Sequence, residues 1–153
     1  MTVDILAGRR PTVAVDPSQL FALGSACFAA LTAVLGKLGV AQVNSNMATL
    51  IRTVVIFVVT LSIVGMRGEW QRPTSLSANT WLFLVLSGVA TGLSWLCYFR
   101  ALQLGPVSGV APLDKLSVAM AMLIGWGVLG EPFSLKEAFG GLLIVAGALV
   151  LVL

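Results

Sequence analysis

Residues Tyr98–Lys115 read YFRALQLGPVSGVAPLDK, and this stretch decides the fold. Trp81–Leu96 before it is almost unbroken hydrophobe, and so is Leu116–Leu129 after it. Between them stand Arg100, Pro106, Pro112 and an adjacent Asp114–Lys115 pair, with Gly105, Ser108 and Gly109 loosening the backbone. Two apolar runs of that length each need a membrane crossing, and the break between them marks a turn of the chain. Charges so close to a crossing require an explanation.

The composition points the same way. The 153 residues are 58% hydrophobic and 10% charged, with a mean hydropathy of +1.02. Soluble domains run nearer roughly 45–50% apolar and about 25% charged. The chain therefore reads as an all-α integral membrane protein. Its runs are continuous, whereas a transmembrane β-barrel needs alternating apolar and polar residues. No histidine is present, so the commonest general base and metal ligand is missing. No GxSxG motif or paired intramembrane carboxylates suggest an enzyme, and no cofactor or metal is expected. Cys27 and Cys97 fall in apolar runs and read as small hydrophobes. The basic residues are scattered, which argues for membrane orientation rather than nucleic-acid binding.

Working outward, residues 1–17 read as a cytoplasmic N-terminal tail and 18–153 as one transmembrane domain. Asp16-Pro17-Ser18-Gln19 offers a cap and a proline at the first helical position. Five spans follow, at about 20–40, 47–66, 81–102, 112–129 and 135–153. Pro112 is favoured as the start of the fourth span, which would leave Asp114 and Lys115 at its rim. A start near Val107 would instead put Asp114 about 10 Å inside the span. Gly130 can cap the fourth span, and Ser134-Leu-Lys-Glu137 forms a capping box for the fifth.

Two spans carry mildly polar stripes at helical spacing. In the third, Ser87, Thr91, Ser94 and Tyr98 share a face beside the GxxxG of Gly88–Gly92. In the second, Asn46, Thr49, Thr53 and Thr60 keep a similar register. Such stripes serve helix packing, with hydroxyls bonded to their own helix, or they line a shared path. Trp95, Tyr98, Ser94, Thr91, Thr53, Arg52 and Lys37 are the candidates for that path. Asp114, Lys115 and Arg100 are the candidates for coupling or for its rim. Lys37 and Arg100 could equally snorkel to the interface.

Sorted by crossing, Arg9, Arg10, Arg67, Arg72 and Lys136 lie toward one side, and Lys37, Arg52, Arg100 and Lys115 toward the other. That balance gives only a slight bias toward a cytoplasmic N-terminus. Two copies inserted in opposite orientations would form an inverted repeat, on which many carriers are built. The cations gathered on one side would favour anionic or zwitterionic groups.

Tyr98-Phe-Arg-Ala-Leu-Gln-Leu-Gly-Pro-Val-Ser, Val110-Ala-Pro-Leu, Leu129-Gly-Glu-Pro-Phe-Ser-Leu-Lys-Glu and Gly140-Gly-Leu-Leu-Ile-Val-Ala-Gly together resemble the EamA domain of the drug/metabolite transporter superfamily. The resemblance covers about Ser18 to Leu153 and is to a single-domain, five-helix member. It implies one half of a ten-helix inverted-repeat architecture in a bacterial or archaeal plasma (inner) membrane. It further implies a secondary transporter of a small metabolite, working by alternating access as an antiparallel homodimer or with a second five-helix half. It supplies no substrate and no universal motif, and Gly105, Pro106, Gly130 and Glu131 read as structural. A non-transporting accessory or assembly subunit is the other reading.

Overall fold

The computed structural model describes residues 16–153. The expected tail, 1–17, lies almost wholly outside them. Helices make up nearly all of the described chain: α1 (Pro17–Gly39), α2 (Ser45–Arg67), α3 (Ala78–Leu104), α4 (Val107–Asp114), α5 (Leu116–Leu129) and α6 (Leu135–Val150). No strand occurs among the described residues. Packing divides the chain after Thr32, and the contacts below all belong to residues 33–153.

Helices α1, α2, α3 and α6 each begin where a side chain meets a backbone donor that has no partner inside the helix. The Ser18 N–H donates to Asp16 Oδ1 at 3.1 Å, and the Asn46 N–H to Asn44 Oδ1 at 2.9 Å. Ser77 Oγ accepts from the Thr80 N–H at 3.1 Å. At α6 the expected capping box is complete: the Glu137 N–H reaches Ser134 Oγ at 3.2 Å, and the Ser134 N–H reaches Glu137 Oε2 at 2.7 Å. Helix α5 stops at Gly130, whose φ of 70° is left-handed and suits a residue without Cβ.

Four stretches are long and apolar enough to cross a membrane: Pro17–Gly39, Ser45–Arg67, Ala78–Leu104 and Val107–Leu129. Helix α6 adds a fifth apolar helix of 16 residues. The outward surfaces carry large apolar side chains throughout, such as Phe57 and Leu86. That suits lipid, where burying such groups between helices brings little gain and close fit supplies the association.

The fourth stretch differs from the favoured sequence reading. It begins at Val107, not Pro112. Pro106, with φ −72° and ψ 151°, takes the extended cap position. Its carbonyl accepts from the Gly109 N–H at 3.2 Å and the Val110 N–H at 3.1 Å. Pro112 therefore sits inside the helix, where it cannot donate to the preceding turn. The helix breaks at Lys115, whose N–H donates to the Pro112 carbonyl at 3.0 Å, a tightened turn. The crossing is thus a discontinuous helix, α4 then α5.

Helix α2 packs on α3, α5 packs on α6, and α4 meets α3, α5 and α6. The densest point is a small cluster of Val40, Phe99 and Leu102. Gly36 makes it possible: a Cβ there would stand 2.7 Å from Phe99 Cε1. The GxxxG pair of α3 is not used in this way, since nothing lies within 4 Å of a Cβ built at Gly88 or Gly92.

Candidate functional site

One end of the bundle is tied by cations and carbonyls. Lys37 Nζ donates to the carbonyls of Leu102 at 2.5 Å and Gly105 at 2.8 Å. The last carbonyls of a helix lack intrahelical donors, and a positive charge there also meets the negative end of the helix dipole. Gln103 Nε2 donates to the carbonyls of Val40 at 3.0 Å and Val43 at 2.6 Å. Arg100 Nη1 donates to Gln103 Oε1 at 2.9 Å. Lys37, Arg100, Leu102 and Gln103 are among the residues that line an open cavity of about 430 Å³ at this end. Gln103, absent from the sequence candidates, ties the end of α3 to the loop after α1.

These bonds bring the end of α1, the start of α2 and the end of α3 to the same side, and α4 starts there too. Depth can then be counted at 1.5 Å per residue. Arg52 lies about 10 Å beyond the start of α2, and Asp114 about 10 Å beyond the start of α4. Trp95, Tyr98 and Phe99 lie about 7–14 Å from the end of α3. Helices α2, α3 and α4 therefore contribute to one polar and aromatic layer within the spans.

Arg52 is the centre of that layer. Its guanidinium carbon sits 4.3 Å from the Phe99 ring centre and 5.0 Å from that of Trp95. Phe99 meets Tyr98 edge-on at 5.9 Å. Asp114 Oδ2 pairs with Lys115 Nζ at 3.6 Å, at the helix break. Arg52 Nη1 is buried and has no hydrogen-bond partner among the described residues. An arginine inside a span costs about 2.5–3.5 kcal/mol or more. Two aromatic faces return about 0.5–2 kcal/mol. The balance leaves a donor in want of an acceptor.

The structure therefore separates the sequence candidates. Arg52, Trp95, Tyr98, Asp114 and Lys115 share the layer, whereas Lys37 and Arg100 belong to the knot at the helix ends. Thr53 Oγ1 donates to the Thr49 carbonyl at 2.9 Å, and Thr91 Oγ1 to the Ser87 carbonyl at 2.9 Å. These hydroxyls are satisfied within their own helices. Ser94 is exposed one turn before Tyr98. Phe99 is not among the sequence candidates. Its one signal is its spacing of four residues after Trp95, which puts both rings on one face.

Apolar spans, a broken fourth crossing and a charged layer inside them define a multi-pass integral membrane protein. The chain belongs to the EamA-like transporter family, whose model matches residues 17–153. It is 58% identical over 133 residues to a Sinorhizobium protein named "Uncharacterized transporter in cobO 3'region", covering 87% of this chain and 94% of that one. It is 33% identical over 89 residues to the Bacillus subtilis uncharacterized transporter YojE, covering 58% of this chain and 30% of that one. A Pseudomonas fluorescens protein named a probable 4-amino-4-deoxy-L-arabinose-phosphoundecaprenol flippase subunit, ArnE, is 32% identical over 83 residues, covering 54% of this chain and 65% of that one. No solved structure matches. The chain is thus a transporter of the drug/metabolite type.

Proposed function

We propose that two copies of this chain, inserted in opposite orientations, form a secondary carrier for a small metabolite. The substrate passes the layer of Arg52, Trp95, Tyr98 and Asp114 as the two halves rock in alternating access. The observation that carries this reading is the discontinuous fourth span: α4 starts at Val107, seven residues before Asp114, and Asp114 pairs with Lys115 at the break. Broken helices at membrane depth are tolerated where they line a cavity, and carriers place substrate and coupling sites there. Asp114 is the coupling group, because it is the one acid within the spans at that depth. Ser94, Thr53 and Thr91 flank the path, while Lys37 and Arg100 hold its rim. The near balance of cations between the two sides supports dual insertion.

The test has two arms. Reporters fused to the C-terminus, one active only inside the cell and one only outside, should both give signal. Purified protein in vesicles, offered a mixture of cell metabolites under a proton gradient, should concentrate at least one compound over empty vesicles. A single orientation would end the antiparallel homodimer, and no accumulation would end the self-sufficient carrier. The word "subunit" in the name of the ArnE relative favours a second reading, an accessory half. In that case a partner chain added to the same vesicles would restore flux.

A further inference from the structure

We infer that Arg52 is the anchor for an oxyanion, a carboxylate or phosphate, carried by the transported molecule. The inference rests on the carrier reading above and adds the charge class of its substrate. Three observations lead to it. First, Arg52 Nη1 is shielded from solvent, yet no acceptor meets it among the described residues. A planar guanidinium presents its donors as a fork that fits carboxylate and phosphate oxygens two at a time. Second, Phe99 and Trp95 cover the guanidinium at 4.3 Å and 5.0 Å. They hold the group in place without using its donors. The rings also supply an apolar wall for the rest of the ligand.

Third, the charges of the layer do not cancel. Asp114 lies at a similar depth on α4, and its carboxylate is paired with Lys115 at 3.6 Å. No ion pair joins Arg52 to an acid among the described residues. Two cations and one carboxylate leave net positive charge at a depth where charge is expensive, and an arriving anion relieves it. A cationic substrate would meet the reverse. Lys37 and Arg100 give no comparable site, because both already donate to acceptors within the chain.

The probes are benzoate and phenyl phosphate, set against neutral benzamide and cationic benzylammonium. Binding to the full-length protein is read by saturation-transfer NMR in a phosphate-free maltoside detergent. Benzoate and phenyl phosphate should bind more tightly than benzamide, and benzylammonium should not compete. Arg52→Gln should weaken both anions about tenfold or more, with Arg52→Lys between the two. Circular dichroism checks the fold of each variant. Were both variants misfolded, the charge preference of the unaltered protein decides alone.

Equal binding of benzamide, preference for benzylammonium, or benzoate affinity unchanged in folded Arg52→Gln would each overturn the assignment. Short-chain phosphatidylglycerol forms a further arm. If it occupied the site and benzoate did not, the anion would be a lipid headgroup and the substrate assignment would fall. Oxyanion binding without vesicle flux would fail the carrier reading and leave the anchor standing. Flux without oxyanion preference would do the opposite.

Discussion

Arg52 of α2 rests its guanidinium on Phe99 of α3, 4.3 Å from the ring centre, and Phe99 is itself fully buried. The contact joins a charge to the tightest packing in the chain. Truncating Phe99 to alanine removes the ring that covers Arg52 and opens a cavity beside Leu102 and Val40. A loss of about 3–5 kcal/mol is expected for such a change. Thermal unfolding in detergent should show a large fall for Phe99→Ala and a smaller one for Phe99→Leu.

Gly36 is set by the same ring. An added methyl would come within 2.7 Å of Phe99 Cε1 and 3.2 Å of its Cζ. Gly36→Ala should cost about 1–3 kcal/mol. Gly88→Ala, where nothing stands within 4 Å, should leave the unfolding temperature of the monomer unchanged. A fall at Gly88 equal to that at Gly36 would contradict the packing described.

Lys37 tests the knot at the helix ends. Lys37→Met keeps much of the stem and removes the two bonds to Leu102 and Gly105. Hydrogen bonds from charged groups contribute about 1.5–3 kcal/mol each at most in folded proteins. Stability should fall, and faster proteolysis near Gly105 should accompany it.

The spans themselves were legible, because a long apolar run leaves the chain few alternatives to a helix in lipid. The Ser134–Glu137 capping box was readable directly, whereas the caps at Asn44 and Ser77 were not singled out. The start of the fourth span was not legible. Pro106 and Pro112 both suit a helix entrance, and local preference favoured the wrong one. The outcome turned on the Pro106 carbonyl collecting the Gly109 and Val110 N–H groups. The roles of Lys37 and Arg52 were less legible still. Both depend on contacts to α3 across long stretches of chain, and no local pattern records which carbonyl or ring a cation will meet.

The coupling role proposed for Asp114 needs its carboxyl within the fourth crossing, and α4 starts seven residues before it. Asp114→Asn should abolish uptake driven by a pH gradient in reconstituted vesicles and spare exchange of substrate for substrate. Uptake that still follows the gradient would remove Asp114 from coupling.

The account stands on water reaching the charged layer inside the membrane. It is tested most directly by Asp114→Cys in a protein with Cys27 and Cys97 replaced by serine. A membrane-impermeant thiosulfonate reacts with the thiolate, which forms where water enters. Leu93→Cys, on an exposed apolar face of α3, is the control. The account predicts rapid labelling at position 114, slowed by benzoate, and almost none at position 93. Equal inertness at both positions would contradict it.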